Sequence, residues 1–307
     1  FSKLNFRTEL HSQFYNIEKK KISNNDYTGT YVRSFPMTGL YFETPLINKK
    51  ANLRINPTAS FVINGSQTST NKVSNEESTN NGYSLLNSSD LNRFTGTDKL
   101  DNSKRVNYGV EVTKDLFGFE LGQSYEIDGN STYNKEVGLK DYMSDLLGTS
   151  YYNGKKNGIS HSFRANVDQG KIASQSLSYG NSSKIGNITV GYTEEKQEVN
   201  SILKKGSKTL GINFGSNAFL DYSTISTDVT FDMIEENPKS YNLHYVYTDE
   251  CFGINIDWSR GFFSDRDLKP TDTLTILFSF KDLGGYQSTN LAVSEKDKEN
   301  IRWNTTR

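Results

Sequence analysis

The chain has 307 residues; only 34% are hydrophobic, yet 12% are aromatic, including 18 Tyr and 18 Phe. With a mean hydropathy of −0.68, it is too polar for an ordinary water-soluble core and too aromatic for a disordered chain. The 35 basic and 36 acidic residues leave a net charge of −1, which gives no global field to attract nucleic acid.

The chain opens at FSKLNFRTEL in what reads as a strand, followed by a loop at 18–27 and a turn at Ile47 to Lys50. A long segment, 66–103, is rich in Ser, Asn, Thr and charge. After it Val106, Tyr108, Val110 and Val112 alternate with Asn107, Gly109, Glu111 and Thr113, a period of two. Turns or loops are read at Asp115-Leu116, 129–141, Asn153 to Gly158, Gln169-Gly170 and Asn181 to Ile185. The alternation continues in Ile188, Val190 and Tyr192, and, past a loop at 198–206, in Leu210, Ile212 and Phe214. Beyond the turn at Ser216-Asn217 and the loop 235–239, Tyr241, Leu243, Tyr245 and Tyr247 stand opposite Asn242, His244 and Thr248.

The last strands are the clearest. After a turn at Asp249-Glu250, Phe252, Ile254, Ile256 and Trp258 share one face, with Gly253, Asn255, Asp257 and Ser259 on the other. Past the loop 264–271, Leu274, Ile276, Phe278 and Phe280 alternate with Thr273, Thr275, Ser279 and Lys281. The tail after Gly285, containing SEKDKEN, is polar and is expected to be disordered.

About fourteen such segments are read, mostly about 10–13 residues long, which is the reach of a tilted strand crossing a bilayer. No run of about 18 apolar residues offers a membrane-crossing helix. The expected fold is all-β: an antiparallel transmembrane barrel, greasy outside and wet inside, over residues 1–284, with a polar tail over 285–307.

Connection lengths support this. If the last strand runs down to the periplasm, the links at Asp249-Glu250, Ser216-Asn217, 181–185, 153–158, Asp115-Leu116 and 47–50 fall on the periplasmic side, and all are short. The loops 264–271, 235–239, 198–206, 129–141, 66–103 and 18–27 fall outside, with Gln169-Gly170 the one tight outer turn. A protein bound for the outer membrane needs an export signal, so its start is expected upstream of Phe1.

Three stretches carry a resemblance. Asn75, Glu76, Glu77 and Ser78 precede Leu91, Asn92, Arg93, Phe94, Gly96 and Asp98, and then Arg105, Asn107, Tyr108 and Gly109. Ser144-Asp145 is followed by Ser162-Phe163-Arg164 and Asp168, and the chain closes with YTDECFGINIDWSRGFFSDRDLKPTDTLTILFSFKDLG. In order and spacing these resemble the barrel of the LptD family of lipopolysaccharide-assembly proteins, here its carboxy-terminal portion. Leu146 stands where the family pattern has Tyr.

The resemblance implies a barrel of about 26 strands preceded by a periplasmic jellyroll, so that this chain would be part of a larger barrel and, taken alone, would fail to fold stably, or would dimerise or close artificially. It implies lipopolysaccharide as cargo, an LptE-like plug lipoprotein, and an LptA-like periplasmic bridge reached through the amino-terminal domain. It also implies a lateral exit into outer-membrane lipid, with Leu274, Ile276, Phe278 and Phe280 on a strand that forms one side of the seam, its partner lying outside this chain.

The resemblance assigns several residues. Cys251, the single cysteine, is the disulfide candidate, and its partner would lie outside this chain. Asn92, Arg93, Phe94, Gly96, Asp98, Arg105, Asn107 and Tyr108 form the loop motif, with the loop folded over or into the lumen and Arg93 and Asp98 held by charge-assisted bonds. Glu111, Arg164, Asp257 and Lys281 are expected to face the lumen, as polar groups on the wet side would in any case.

No cofactor is called for. His11, His161 and His244 lack ligand spacing, and no nucleophile elbow, phosphate loop or Cys-x-x-Cys is present, so neither metal nor enzyme chemistry is read. The acidic pairs Glu76-Glu77, Glu194-Glu195 and Glu235-Glu236 read as solvated turns. The rival readings are a passive diffusion porin made by this chain alone, a soluble carbohydrate-binding β-protein, and an outer-membrane enzyme.

Overall fold

The computed structural model describes residues 1–22, 25–65, 83–96, 98–129, 138–139, 142–199, 202–216, 222–262, 271–280, 284–287 and 291–293. Among them every regular element is a strand. In chain order these are β1 (Lys3–Ile22), β2 (Asn25–Glu43), β3 (Leu46–Asn48), β4 (Leu53–Asn64), β5 (Lys104–Lys114), β6 (Phe117–Glu126), β7 (Leu146–Asn153), β8 (Asn157–Asn166) and β9 (Lys171–Ser182). They continue as β10 (Gly186–Val199), β11 (Ile202–Ser216), β12 (Ser223–Asp232), β13 (Asn237–Thr248), β14 (Phe252–Gly261), β15 (Thr271–Phe280), β16 (Gly284–Gln287) and β17 (Leu291–Val293).

The chain forms two compact units: Phe1–Tyr152 with His161–Gln175 and Lys196–Lys205, and Asn153–Ser160 with Ser176–Glu195 and Gly206–Arg307. In the first unit antiparallel pairing runs β1–β2–β4–β5–β6–β7, with β3 a short partner of β4. Two hairpin turns of this unit are tied side by side. Asn52 and Asp115 both adopt left-handed backbone, φ +47° and +52°, which their short polar side chains tolerate. The Asn52 amide donates to the Asp115 carboxylate at 2.8 Å.

In this unit the buried face is the polar one. On β4, Asn56, Ser60, Val62 and Asn64 are buried, while Pro57, Ala59, Phe61 and Ile63 between them are exposed. On β5, Arg105 and Asn107 are buried and Tyr108 is exposed; on β6, Ser124 and Glu126 are buried and Tyr125 is exposed. A water-soluble sheet does the reverse. This sheet presents its apolar side chains outward and its polar ones inward, the pattern of a membrane barrel strand.

In the second unit β11–β12–β13–β14–β15 pair in sequence. The register aligns the apolar side chains into rows across the strands: Leu243, Trp258 and Leu274; Tyr245, Ile256 and Ile276; Tyr247, Ile254 and Phe278. None of these residues is among the buried hydrophobic ones, and Phe278 retains 36% of its exposure. The rows therefore do not pack inside a compact core.

Three expectations are corrected. The loops expected at 18–27 and 198–206 shrink, because β1 runs to Ile22 and β2 starts at Asn25, while β10 runs to Val199 and β11 starts at Ile202. These hairpins exceed the ~9–11 residues that a tilted crossing needs. Where both faces of a ribbon meet water, pairing continues without apolar alternation, so the sequence pattern fades before the strand does. In β1–β2 this extension carries a bulge between Ile17 and Lys20, with Lys19 at φ +52°. Lastly, the segment after the last long strand is not featureless: β16 and β17 both pair with β15.

Candidate functional site

The inner face of the first unit carries the candidate site. The described part of the long segment, 83–96 and 98–103, lies against it. Leu91 packs with Phe35 and Met37 of β2, Val62 of β4 and Leu100. Close approach is possible there because the strand offers a glycine: a Cβ on Gly39 would stand 2.9 Å from the Leu91 side chain. A second cluster joins Tyr83 and Phe94 of the segment to Leu139 and Leu147, with Leu85 beside it. A Cβ on Gly122 of β6 would meet Leu85 at 2.7 Å.

Charge holds the segment as firmly as packing does. Arg93, 2% exposed, donates from Nε to Asp101 Oδ2 at 2.7 Å and from Nη2 to Ser103 Oγ at 3.2 Å and to Glu126 Oε1. Arg105 of β5, fully buried, donates to the same Asp101 oxygen at 3.0 Å and to the backbone carbonyl of Asp90. Ser103 Oγ in turn donates to Glu126. Among the described residues two guanidinium groups thus face two carboxylates, and the pairing matters here, since an unpaired charge in such a place costs several kcal/mol.

Asn92 sets the local backbone. Its Oδ1 accepts the N–H of Phe94 at 3.4 Å and of Asp101 at 3.1 Å, and its Nδ2 donates to Lys99 O. Gly96, at φ +74°, supplies a left-handed residue within the tip. Asn64, at the end of β4, clasps both legs of the segment by donating to Leu91 O and Asp101 O, each at 2.7 Å. From β2, Arg33 donates to Asp98 O at 2.7 Å.

A neighbouring pair extends the network. Arg164 of β8, 5% exposed, donates to Asp145 at 2.9 Å, beside Gly138 at φ +87°. The Tyr83 hydroxyl accepts from Ser144 at 3.2 Å, and burial pushes its pKa above the usual phenol value. At the exposed end of the segment, burial also raises the Asp90 carboxyl, against the opposing pull of Arg105.

The loop-motif residues therefore come together, with two qualifications. Among the described residues Arg93 pairs with the carboxylates of Asp101 and Glu126, and Asp98 gives its main-chain carbonyl to Arg33. Tyr108 points to the opposite, exposed face and bonds Gln123 at 2.8 Å. Asn107 lies inward and donates to Ser60 at 2.8 Å. Asp101, Ser103, Glu126, Asn64 and Arg33 were not singled out from the sequence. Glu126 was legible: it sits at inward parity at the end of β6, directly across from Arg105.

The other candidates are dispersed. Glu111 is on the inner face, 4.0 Å from Arg54. Asp257, in the second unit, pairs with His244 across β13–β14 on the polar face. Lys281 lies outside the described residues. Cys251 is a free, exposed thiol; in its turn the Asp249 carboxylate accepts the N–H groups of Cys251 and Phe252 at 2.8 and 2.7 Å. Those backbone donors, with the Tyr247 hydroxyl, hold the Asp249 carboxyl below its usual pKa. Leu274, Ile276, Phe278 and Phe280 share one face of β15. Within the described residues β16 and β17 pair with part of its other edge. Among the described residues no group of three or more His, Cys, Asp or Glu could hold a metal ion.

Comparison with known proteins gives the following. The chain matches the LptD family, described as LPS transport system D, over residues 1–249. Curated proteins yield no match. Among solved structures, two mutants of the porin of Rh. blastica are similar to it at 8% identity, each alignment covering 94% of both chains, with TM-scores of 0.39 and 0.38.

Proposed function

This chain belongs to the LptD family, and on that premise we propose that it passes lipopolysaccharide to the outer leaflet through a lateral opening beside β15. The family is one of lipopolysaccharide transport, not of enzymes, and the protein is an outer-membrane β-barrel that works with the transport system that its family serves.

The observation that carries the finer reading is the inverted sheet: buried polar residues inward, unpacked apolar rows outward. The cargo has acyl chains that belong in lipid and a charged glycan that belongs in water. A wall greasy on one side and wet on the other serves both, provided that it can part. Parting at an ordinary ladder would leave backbone groups unpaired in lipid, at several kcal/mol each. The edge of β15 that, among the described residues, bears the short β16 and β17 is the cheaper place. In this reading Leu274, Ile276, Phe278 and Phe280 line the lipid side of the seam, an LptE-like lipoprotein plugs the lumen, and an LptA-like bridge delivers cargo from the periplasm. Cys251 is available to a disulfide partner elsewhere in the protein.

A photo-crosslinking residue at Phe278 tests this in transporting cells. Adducts with lipopolysaccharide are expected at Phe278 and not at Ile188, an exposed residue on β10. Equal labelling at both positions, or none at either, would remove the β15 exit.

A further inference from the structure

Beneath the inserted segment, on the inner face of the first unit, lies a cavity of about 450 Å³. Ligand pockets begin at roughly 300 Å³, so it has room for a sugar unit with a substituent. Its floor is made of absences. Gly109 and Gly122 stand opposite each other on β5 and β6, and a Cβ on Gly109 would come within 2.7 Å of the Leu121 carbonyl. No side chain can fill that position.

The walls differ in charge. On one side are Lys3 and Arg7 of β1, both exposed to the cavity. The Arg7 guanidinium stacks over the Tyr41 ring at 5.1 Å, while Lys3 also pairs with Glu43 at 2.8 Å. On the opposite side is Glu120 of β6. Between them Asn107 is 4% exposed and lines the cavity. It spends its amide on Ser60 and keeps its carbonyl oxygen buried without a hydrogen-bond partner. A buried acceptor left open costs about 1–3 kcal/mol, and a ligand hydroxyl would satisfy it.

We propose that this cavity is a binding subsite for one phosphorylated sugar unit of the cargo, its phosphate on Arg7 and its hydroxyls on Asn107 and Glu120. The arrangement is what an acidic saccharide needs: a cation already flattened against an aromatic ring, an unsatisfied carbonyl, and a carboxylate on a different strand to accept from sugar hydroxyls. The inference rests on the lipopolysaccharide reading for its ligand, but not on the exit beside β15.

The test uses the full chain in detergent micelles, titrated with deacylated lipopolysaccharide oligosaccharide and with the same oligosaccharide stripped of phosphate. Arg7→Gln, at an exposed position, should weaken the phosphorylated form about tenfold, the loss of one charge-assisted contact of about 1.4 kcal/mol, and leave the dephosphorylated form unchanged. Asn107→Ala should weaken both. Wild-type affinity for the phosphorylated form in both variants overturns the subsite, as does no binding of either oligosaccharide to the native chain. Binding of free inorganic phosphate as tightly as the oligosaccharide would also overturn it, because the sugar would then contribute nothing. Failure of the Phe278 crosslink removes the exit and leaves these titrations to stand or fall alone.

Discussion

Each unit pairs its strands antiparallel, yet the two stabilise their polar faces by different means. In the first, a segment between β4 and β5 lies on the polar face, burying two guanidinium groups, two carboxylates and two small apolar clusters. In the second, no comparable layer is present among the described residues. His244 and Asp257, the most conspicuous polar pair there, keep 42% and 49% of their side-chain exposure. A nitrogen-bearing side chain beside a carboxylate is thus structural in one unit and of little weight in the other. Burial decides which, because water screens the exposed pair and leaves the covered one at full strength.

That contrast can be broken from its strongest side first. Asp101→Ala removes the carboxylate that Arg93 and Arg105 share in a buried site and should cost about 3–5 kcal/mol, read as a lowered denaturant midpoint and as new protease cleavage within 83–103. Asp257→Ala, its counterpart in the second unit, should cost no more than about 1 kcal/mol. Equal losses would mean that the segment is not held by its charges.

The next effect concerns the faces of the second unit. Ile256→Arg places a cation on the outward row between Tyr245 and Ile276 and should cost about 2–4 kcal/mol in a bilayer, measured by folding into liposomes. Asn255→Arg, one residue away on the other face, should fold as the native chain does. If the two substitutions behave alike, the two faces see the same surroundings.

The smallest effect is at the Asp249 turn. Its carboxyl is held low by backbone donors, so the native state prefers the ionised form. Stability from this group is present above the normal carboxylate range and is lost as pH falls through the depressed native value. Asp249→Asn should therefore lower thermal stability slightly near neutral pH, and the gap to the native chain should close on acidification. A gap independent of pH would show that the turn gains nothing from the charge.

Much of this fold was legible because a period of two survives wherever one face meets lipid. Trp258 with Ile254 and Ile256, and Phe278 with Leu274 and Ile276, declare their strands unaided. The tight turns at Asp115, at 153–158 and at Asp249 fall where the pattern breaks. What the pattern could not show was pairing in water, as at Lys19 to Lys21, where alternation has no physical reason to persist. Nor could it show which acids meet which arginines. Arg93 and Asp98 are close in sequence, but the backbone turn that Asn92 enforces brings Asp101 to Arg93 and sends the Asp98 carbonyl to Arg33. Partner choice in a folded-back segment is three-dimensional information. The cavity under that segment is equally invisible in one dimension, since two glycines and an open amide oxygen leave no motif.

The central claim is most directly tested by the surroundings of Trp258. With Trp303→Phe leaving Trp258 as the sole indole, the chain is folded into liposomes bearing spin-labelled acyl chains, and quenching by these lipids is compared with quenching by aqueous iodide. The account predicts strong quenching by the lipid label and little by iodide. Quenching by iodide with none from the acyl chains would place Trp258 in water and contradict it.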